Sequence, residues 1–139
     1  MEHTARRREI EAFYRVYLQT CNEHRFEDLG EFVAADVVVN GEPRGLGGYM
    51  AALRSVVRGF PDYHWELRHL VVDDEWFAAH LATTGTHRGP LLGLPATGRT
   101  AGTHEFAVYR TAAGRIVEVW GTPDDLALRT QLLLADGIG

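Results

Sequence analysis

The stretch Gly114-Arg115-Ile116-Val117-Glu118-Val119-Trp120-Gly121-Thr122-Pro123-Asp124-Asp125-Leu126 decides how the chain is read. It opens on a glycine turn and continues in apolar residues, Ile116 with Trp120 and Val117 with Val119, a strand pattern. It then switches sharply to a helix. Pro123 suits the first turn of a helix, where its missing N–H costs nothing, and Thr122 suits the cap before it. A strand running straight into a capped helix hangs the carboxylate of Asp124 at the mouth of whatever the sheet encloses. Residue chemistry leaves two readings of Asp124. Acids are favoured at a helix start by the free N–H groups and the helix dipole, a need that Asp125 meets equally well. A catalytic Asp124 would instead face a dry pocket with its pKa raised, so that it holds a proton near neutrality.

Working back from that stretch, Ala112-Ala113-Gly114 is a turn and Thr100 to Arg110 a strand. Gly89 to Gly98 is a Gly/Pro-rich connection, and Trp76 to Thr86 is a long strand. Asp73-Asp74-Glu75 turns the chain back to an alternating aromatic strand, Tyr63 to Val72. Further upstream the period changes from two to that of a helix. Leu46, Met50, Leu53, Val57 and Phe60 make one helical stripe, closed by Gly59 and Pro61. Val37-Val38-Val39 is a short strand ended by the turn pair Asn40-Gly41. Phe26 to Val33 is predicted as a short helix. Ile10, Phe13, Tyr14, Tyr17, Leu18 and Cys21 form one face of a first helix that Asn22 ends. Downstream, Pro123 to Leu134 is predicted as the closing helix. Helices followed by a run of long antiparallel strands indicate an α+β fold rather than a βαβ sheet. A curved antiparallel sheet wrapped over N-terminal helices makes a cone-shaped α+β barrel with a pocket inside.

The composition agrees with one domain over residues 1–139 and a sizeable core, with 45% hydrophobic and 24% charged residues. A formal net charge of −5 argues against a nucleic acid or an anionic membrane as partner. The Arg6-Arg7-Arg8 run reads as a solvated terminus. The one cysteine, Cys21, excludes an internal disulfide, and its place on the helical stripe makes it a buried thiol. No apolar run approaches the roughly 18 residues of a membrane span. The charged N-terminus lacks the apolar core of a secretory signal, so the cytoplasm is the expected compartment.

Phosphate loops, Gly-x-Ser-x-Gly elbows and His-Glu-x-x-His pairs are absent. His3, His24, His64, His69, His80, His87 and His104 are scattered rather than spaced as metal ligands, so no metal site is expected. His104 is in phase with Phe106 and Val108, and His80 with Trp76, Ala78, Ala82 and Thr84. Each is either a satisfied core histidine or a hydrogen-bond donor and proton relay in a pocket. Tyr63, Trp65 and His69 share one parity and form either core or an aromatic wall for a flat ligand.

Two stretches carry a resemblance. Gly85-Thr86-His87-Arg88-Gly89-Pro90-Leu91-Leu92-Gly93-Leu94-Pro95-Ala96-Thr97-Gly98-Arg99 is similar to the Gly-Thr-His-x-Gly-x-x-x-Gly-x-Pro-x-Thr-Gly connection of the SnoaL-like polyketide cyclase family. Gly114 to Asp124 resembles that family's closing Gly-Lys-Ile-Val-Glu-His-Trp-Gly-x-x-Asp, and Phe60-Pro61-Asp62 its entry to the first long strand. One departure is Val119, where the family often has His.

The resemblance implies an α+β barrel of the nuclear transport factor 2 superfamily. It also implies a cofactor-free enzyme of secondary metabolism that closes a ring of an aromatic polyketide by intramolecular aldol condensation. Asp124 is then the acid/base, and His104 hydrogen-bonds a substrate oxygen or tunes Asp124. Tyr14 and Asn40 are orienting contacts. Tyr63, Trp65, His80, His87, Phe106 and Trp120 complete the expected substrate-binding set. The resemblance further implies a homo-dimer or homo-tetramer packed through the outer sheet face. It leaves open a hydroxylation component acting on a related polyketide and a non-catalytic small-molecule-binding protein. An epoxide hydrolase built on Glu66, Arg68 and Asp124 is a further alternative.

Overall fold

A computed structural model describes residues 2–134, and His3 lies outside the described side chains. Helix α1 (Glu2–Asn22) buries Ile10, Tyr14, Tyr17, Leu18 and Cys21 of the predicted stripe, with Phe13 half-buried beside them. The Arg run at its start is not simply solvated. Arg6 donates to the Asp74 carbonyl at 3.0 Å and to the Thr111 hydroxyl at 3.1 Å, and Arg7 donates to the Leu70 carbonyl at 3.4 Å. These bonds fasten the first turns of α1 to the sheet.

The predicted second helix is a 3-10 helix, Phe26–Glu31, and Val33 already belongs to strand β1 (Val33–Val39). Ala34, Ala35 and Asp36 carry no strand signal of their own. They lie in the irregular stretch of β1 between the parallel pairs Val33 with Ile116 and Val38 with Glu118, and the flanking pairs hold them in the strand where local propensity would not. Helix α2 (Gly45–Gly59) follows. Strands β2 (His64–Asp73), β3 (Trp76–Thr86), β4 (Thr100–Ala112) and β5 (Arg115–Trp120) lead to helix α3 (Asp125–Leu133). The sheet order is β1-β5-β4-β3-β2. Its four long strands are antiparallel as expected, and β1 makes the sheet mixed. Helix α1 lies against β2 and α2 against β1. The result is the expected α+β cone, with one sheet face turned to the helices and the other to solvent.

Two bulges decide which side chains face inward. The β2–β3 register slips between Leu67 and His69. Tyr63, Trp65 and Leu67 point toward the helices before the slip, and Leu70 and Val72 after it. His69 is thereby turned out of the parity it shares with Tyr63 and Trp65. In the same way β5 carries Val117 as the extra residue opposite Arg110 and Thr111. Ile116 and Val119 are buried together, while Trp120 is 44% exposed.

The Gly/Pro-rich connection folds back on the end of α2. His87, fully buried, accepts the Thr97 N–H at Nδ1 over 3.2 Å, and its backbone bonds Arg99 and Gly98. Gly89 sits where a Cβ would stand 2.1 Å from the Arg58 carbonyl oxygen, so only glycine permits that approach.

Candidate active site

The inner sheet face and the helices enclose a cavity of about 470 Å³, within the range of small-molecule sites. Its floor is tyrosine. Tyr14 and Tyr17 come from α1, Tyr49 from α2 and Tyr109 from β4. The i, i+3 spacing on α1 places Tyr14 and Tyr17 on one face. The Tyr14 and Tyr109 hydroxyls are 2.8 Å apart, and the Tyr17 hydroxyl is hydrogen-bonded to that of Tyr49. Burial pushes all four phenols above their ordinary pKa, so they stay neutral and serve as donors. Beside them burial pushes the Cys21 thiol up to about 12, which makes it the inert structural thiol expected from its position.

One carboxyl stands half-buried in this wall, that of Glu105. It accepts a hydrogen bond from the Tyr63 hydroxyl at 3.0 Å. Burial raises its pKa above the usual carboxylate range. Hydrogen bonds from Tyr63 and Trp65 oppose that rise, and the Asp125 charge adds to it. Asp125 is itself raised, by burial and by Asp124. Two further charged residues in the lining, Glu42 and Arg44, are exposed at the mouth.

The sequence-derived set divides over this geometry. Tyr14 and Trp65 line the cavity, and Tyr63 backs Glu105. Asn40 is at the rim, but both ends of its amide are taken. Its Nδ2–H donates to the Gly121 carbonyl at 2.9 Å, and its Oδ1 accepts the Gly121 N–H at 2.8 Å. His87 pins the β3–β4 connection, and its Nε2 has no hydrogen-bond partner among the described residues.

His80 and His104 are on the outer face. Their rings join His69 in a chain, with Nδ1 of His69 2.9 Å from Nδ1 of His80 and Nε2 of His80 2.9 Å from Nδ1 of His104. The reason is the parity of β4: Ala101, Tyr109 and Thr111 are buried, so His104, Phe106 and Val108 point out. The Phe106 ring stacks on His80 at 4.7 Å, although its residue also borders the cavity. Trp120 faces out as well and donates its indole N–H to Glu118 at 2.6 Å.

Asp124 is exposed and is not among the cavity-lining residues. It, rather than Thr122, is the N-cap of α3, and its Oδ1 accepts the Ala127 N–H at 3.0 Å. Gly121 to Pro123 belong to neither helix nor strand and form the cavity rim. The expectation of a dry, inward-facing Asp124 is therefore corrected to that of a helix cap at the mouth. Among the described residues no cluster of His, Cys, Asp or Glu is arranged to hold a metal ion.

Glu105, Tyr17, Tyr49 and Tyr109 are site residues that the sequence reading passed over. The signal available for Glu105 was its phase with Ala101 and Tyr109 on β4. Val119 takes the place that the family often gives to histidine, and it faces the same cavity, so that part of the wall is apolar here.

The family model of the SnoaL-like polyketide cyclases matches residues 11–132, and the chain belongs to that family. It is 29% identical over 133 residues to the aklanonic acid methyl ester cyclase DnrD of Streptomyces peucetius, covering 91% of this chain and 86% of that one. Its fold is similar to that of a SnoaL-like polyketide cyclase from Agrobacterium tumefaciens. That match has a TM-score of 0.77 and 34% identity over 86% of this chain and 94% of the other. It is also similar to TsrD of Streptomyces laurentii, with a TM-score of 0.82 and 26% identity over 91% and 96% of the two chains. Family and relatives make the protein an enzyme of the polyketide cyclase type.

Proposed function

We propose that the domain formed by residues 1–139 is a cofactor-independent cyclase of secondary metabolism. It closes a ring of an aromatic polyketide intermediate by intramolecular aldol-type addition under acid/base catalysis. The observation that carries this reading is the cavity. It has apolar walls, a floor of neutral phenols and room for a flat polycyclic ligand. Such a substrate brings its own acidic carbon, because its enolate is delocalised into the adjoining ring and carbonyls. The protein has to fold the chain so that enolate carbon and accepting carbonyl meet, and to manage one proton. Fixed orientation of reacting groups contributes several kcal/mol to such a step. Apolar walls and aromatic edges hold the rings, and in each hydroxyl pair the O–H not spent on its neighbour donates to a carbonyl or phenol oxygen at the closed end. In this reading Asp124 keeps α3 and the rim in place, and the acid/base works from within the cavity.

The outer sheet face supports a homo-dimer or homo-tetramer. Val71, Ala78, Val108 and Trp120 form a row of cross-strand neighbours over β2, β3, β4 and β5. Val71, Val108 and Trp120 in it are exposed at 66%, 41% and 44%. An apolar row of that kind is covered in an assembly more readily than left wet.

The reaction is tested with aklanonic acid methyl ester, the compound in the relative's name. Purified protein should convert it to an isomer of unchanged mass with one ring more, under nitrogen as fast as under air. A product that gains oxygen from air and no ring would establish hydroxylation instead. A rate equal to that of buffer would refute catalysis of this substrate.

A further inference from the structure

We propose that Glu105 is the catalytic proton carrier of the cavity, a role that rests on the ring-closure reading above. The carboxyl is carried by the inward parity of β4, between Ala101 and the Tyr109 of the floor. Of the two carboxylates in the lining, Glu42 is exposed and Glu105 is half-buried. Asp124 spends Oδ1 on its own helix. Glu105 is held from behind by the Tyr63 hydroxyl at 3.0 Å and by Trp65. These two positioning residues leave further lone pairs of the carboxylate for a substrate in the cavity.

The step closes on itself. Ionised Glu105 takes the proton of the acidic C–H, and the C–H electron pair becomes the enolate. The enolate carbon bonds the accepting carbonyl carbon. The carbonyl π pair moves to oxygen, and that oxygen takes the proton back from Glu105. One C–C bond is made, one C=O π bond is lost, and the enzyme ends ionised as it began. Substrate and product are isomers, so no oxidant, reductant or co-substrate enters. A group that must both accept and return a proton works best with a pKa near the working pH. The surroundings of Glu105 push it that way. Burial and Asp125 on α3 favour the protonated form, and Tyr63 and Trp65 on β2 favour the charged form. Tyr49 on α2 and Tyr109 on β4 face it as neutral phenols whose own ionisation it opposes.

The test compares wild type, Glu105→Gln and Asp124→Asn with aklanonic acid methyl ester over a pH series, with circular dichroism as the check of folding. Glu105→Gln should lower kcat by about 10²–10⁴-fold, the usual contribution of one positioned acid/base. Asp124→Asn should stay within about 5-fold. Tyr63→Phe keeps the carboxyl and removes a bond to its charged form, so the acidic limb of the kcat/KM profile should move to higher pH. This variant carries the test if Glu105→Gln fails to fold. A folded Glu105→Gln with near wild-type kcat, or an unmoved limb in Tyr63→Phe, overturns the assignment and leaves ring closure standing. A wild type that closes no ring counts against the ring-closure reading. A ¹³C titration of the Glu105 carboxyl then judges the assignment by itself. A midpoint clearly above the ordinary 4.5 upholds the half-buried acid that the role requires, and a midpoint at or below that value overturns the assignment.

Discussion

Replacing Asn40 by alanine should cost stability before it costs affinity. The side chain ties the end of β1 to the residue after β5 by two hydrogen bonds, 2.9 and 2.8 Å long, to the Gly121 backbone. Net contributions of about 0.5–1.5 kcal/mol each put the pair at about 1–3 kcal/mol. Asn40 also has a φ of 52°, a left-handed conformation that asparagine tolerates and alanine adopts at a cost of about 1 kcal/mol. Its backbone N–H bond to the Val119 carbonyl, 2.8 Å, survives in the variant. The sum is a loss of about 2–4 kcal/mol, a large share of the roughly 5–15 kcal/mol that holds a domain folded. Urea unfolding followed by circular dichroism measures it by linear extrapolation. Asn40→Gly removes the amide but suits the positive φ, so it should fall between wild type and Asn40→Ala. The opposite outcome is an Asn40→Ala variant within about 0.5 kcal/mol of wild type whose KM rises tenfold. That result would make Asn40 a substrate contact and not a clamp.

Three further outcomes follow from the same geometry. Glu105 binds its proton more tightly in the folded than in the unfolded chain, so unfolding free energy should fall as pH climbs from about 4.5 through its raised folded pKa. Glu105→Gln has no proton to lose, so its advantage over wild type should grow from pH 4 to pH 8, and parallel curves would contradict the raised pKa. Gly89→Ala places a methyl 2.1 Å from the Arg58 carbonyl oxygen, and thermal unfolding should show a loss of at least about 2 kcal/mol. Val71→Glu with Val108→Glu puts charge into the exposed outer row, and light scattering should then find monomers where wild type is associated.

Periodic segments of the sequence announced themselves because each has one strongly apolar face. The α1 stripe, the Gly59–Pro61 stop and the β2–β3 turn at Asp73–Glu75 all stand where their residues put them. The faces of the strands were less legible. On β4 the outward parity holds Phe106 and Val108, while the inward parity mixes Ala101, Ala107 and Tyr109 with Thr103, Glu105 and Thr111, so hydrophobicity does not tell the two faces apart. The outer face is itself apolar, which no single-strand pattern can reveal. The bulges beyond Leu67 and at Val117 reverse parity midway along β2 and β5, and they arise from pairing rather than from a residue type. Asp124 stands at the strand-to-helix switch, but the helix begins at Asp125, two residues later than Pro123 suggests, and this makes Asp124 its cap. Its direction was set by Ala127, whose free N–H in the first turn of α3 took the carboxylate. β1 is anchored to β5 at Val33 and again from Val38, and its first half between those pairs is an irregularity that no local pattern marks.

The most direct measurement is a crystal structure of Glu105→Gln with aklanonic acid methyl ester bound. The rings should lie in the cavity over Tyr14 and Tyr109, with a ligand oxygen or the acidic carbon roughly 3 Å from the side chain at position 105. A ligand held at Asp124, or lying on the outer face against His80 and His104 with the cavity empty, would contradict this placement.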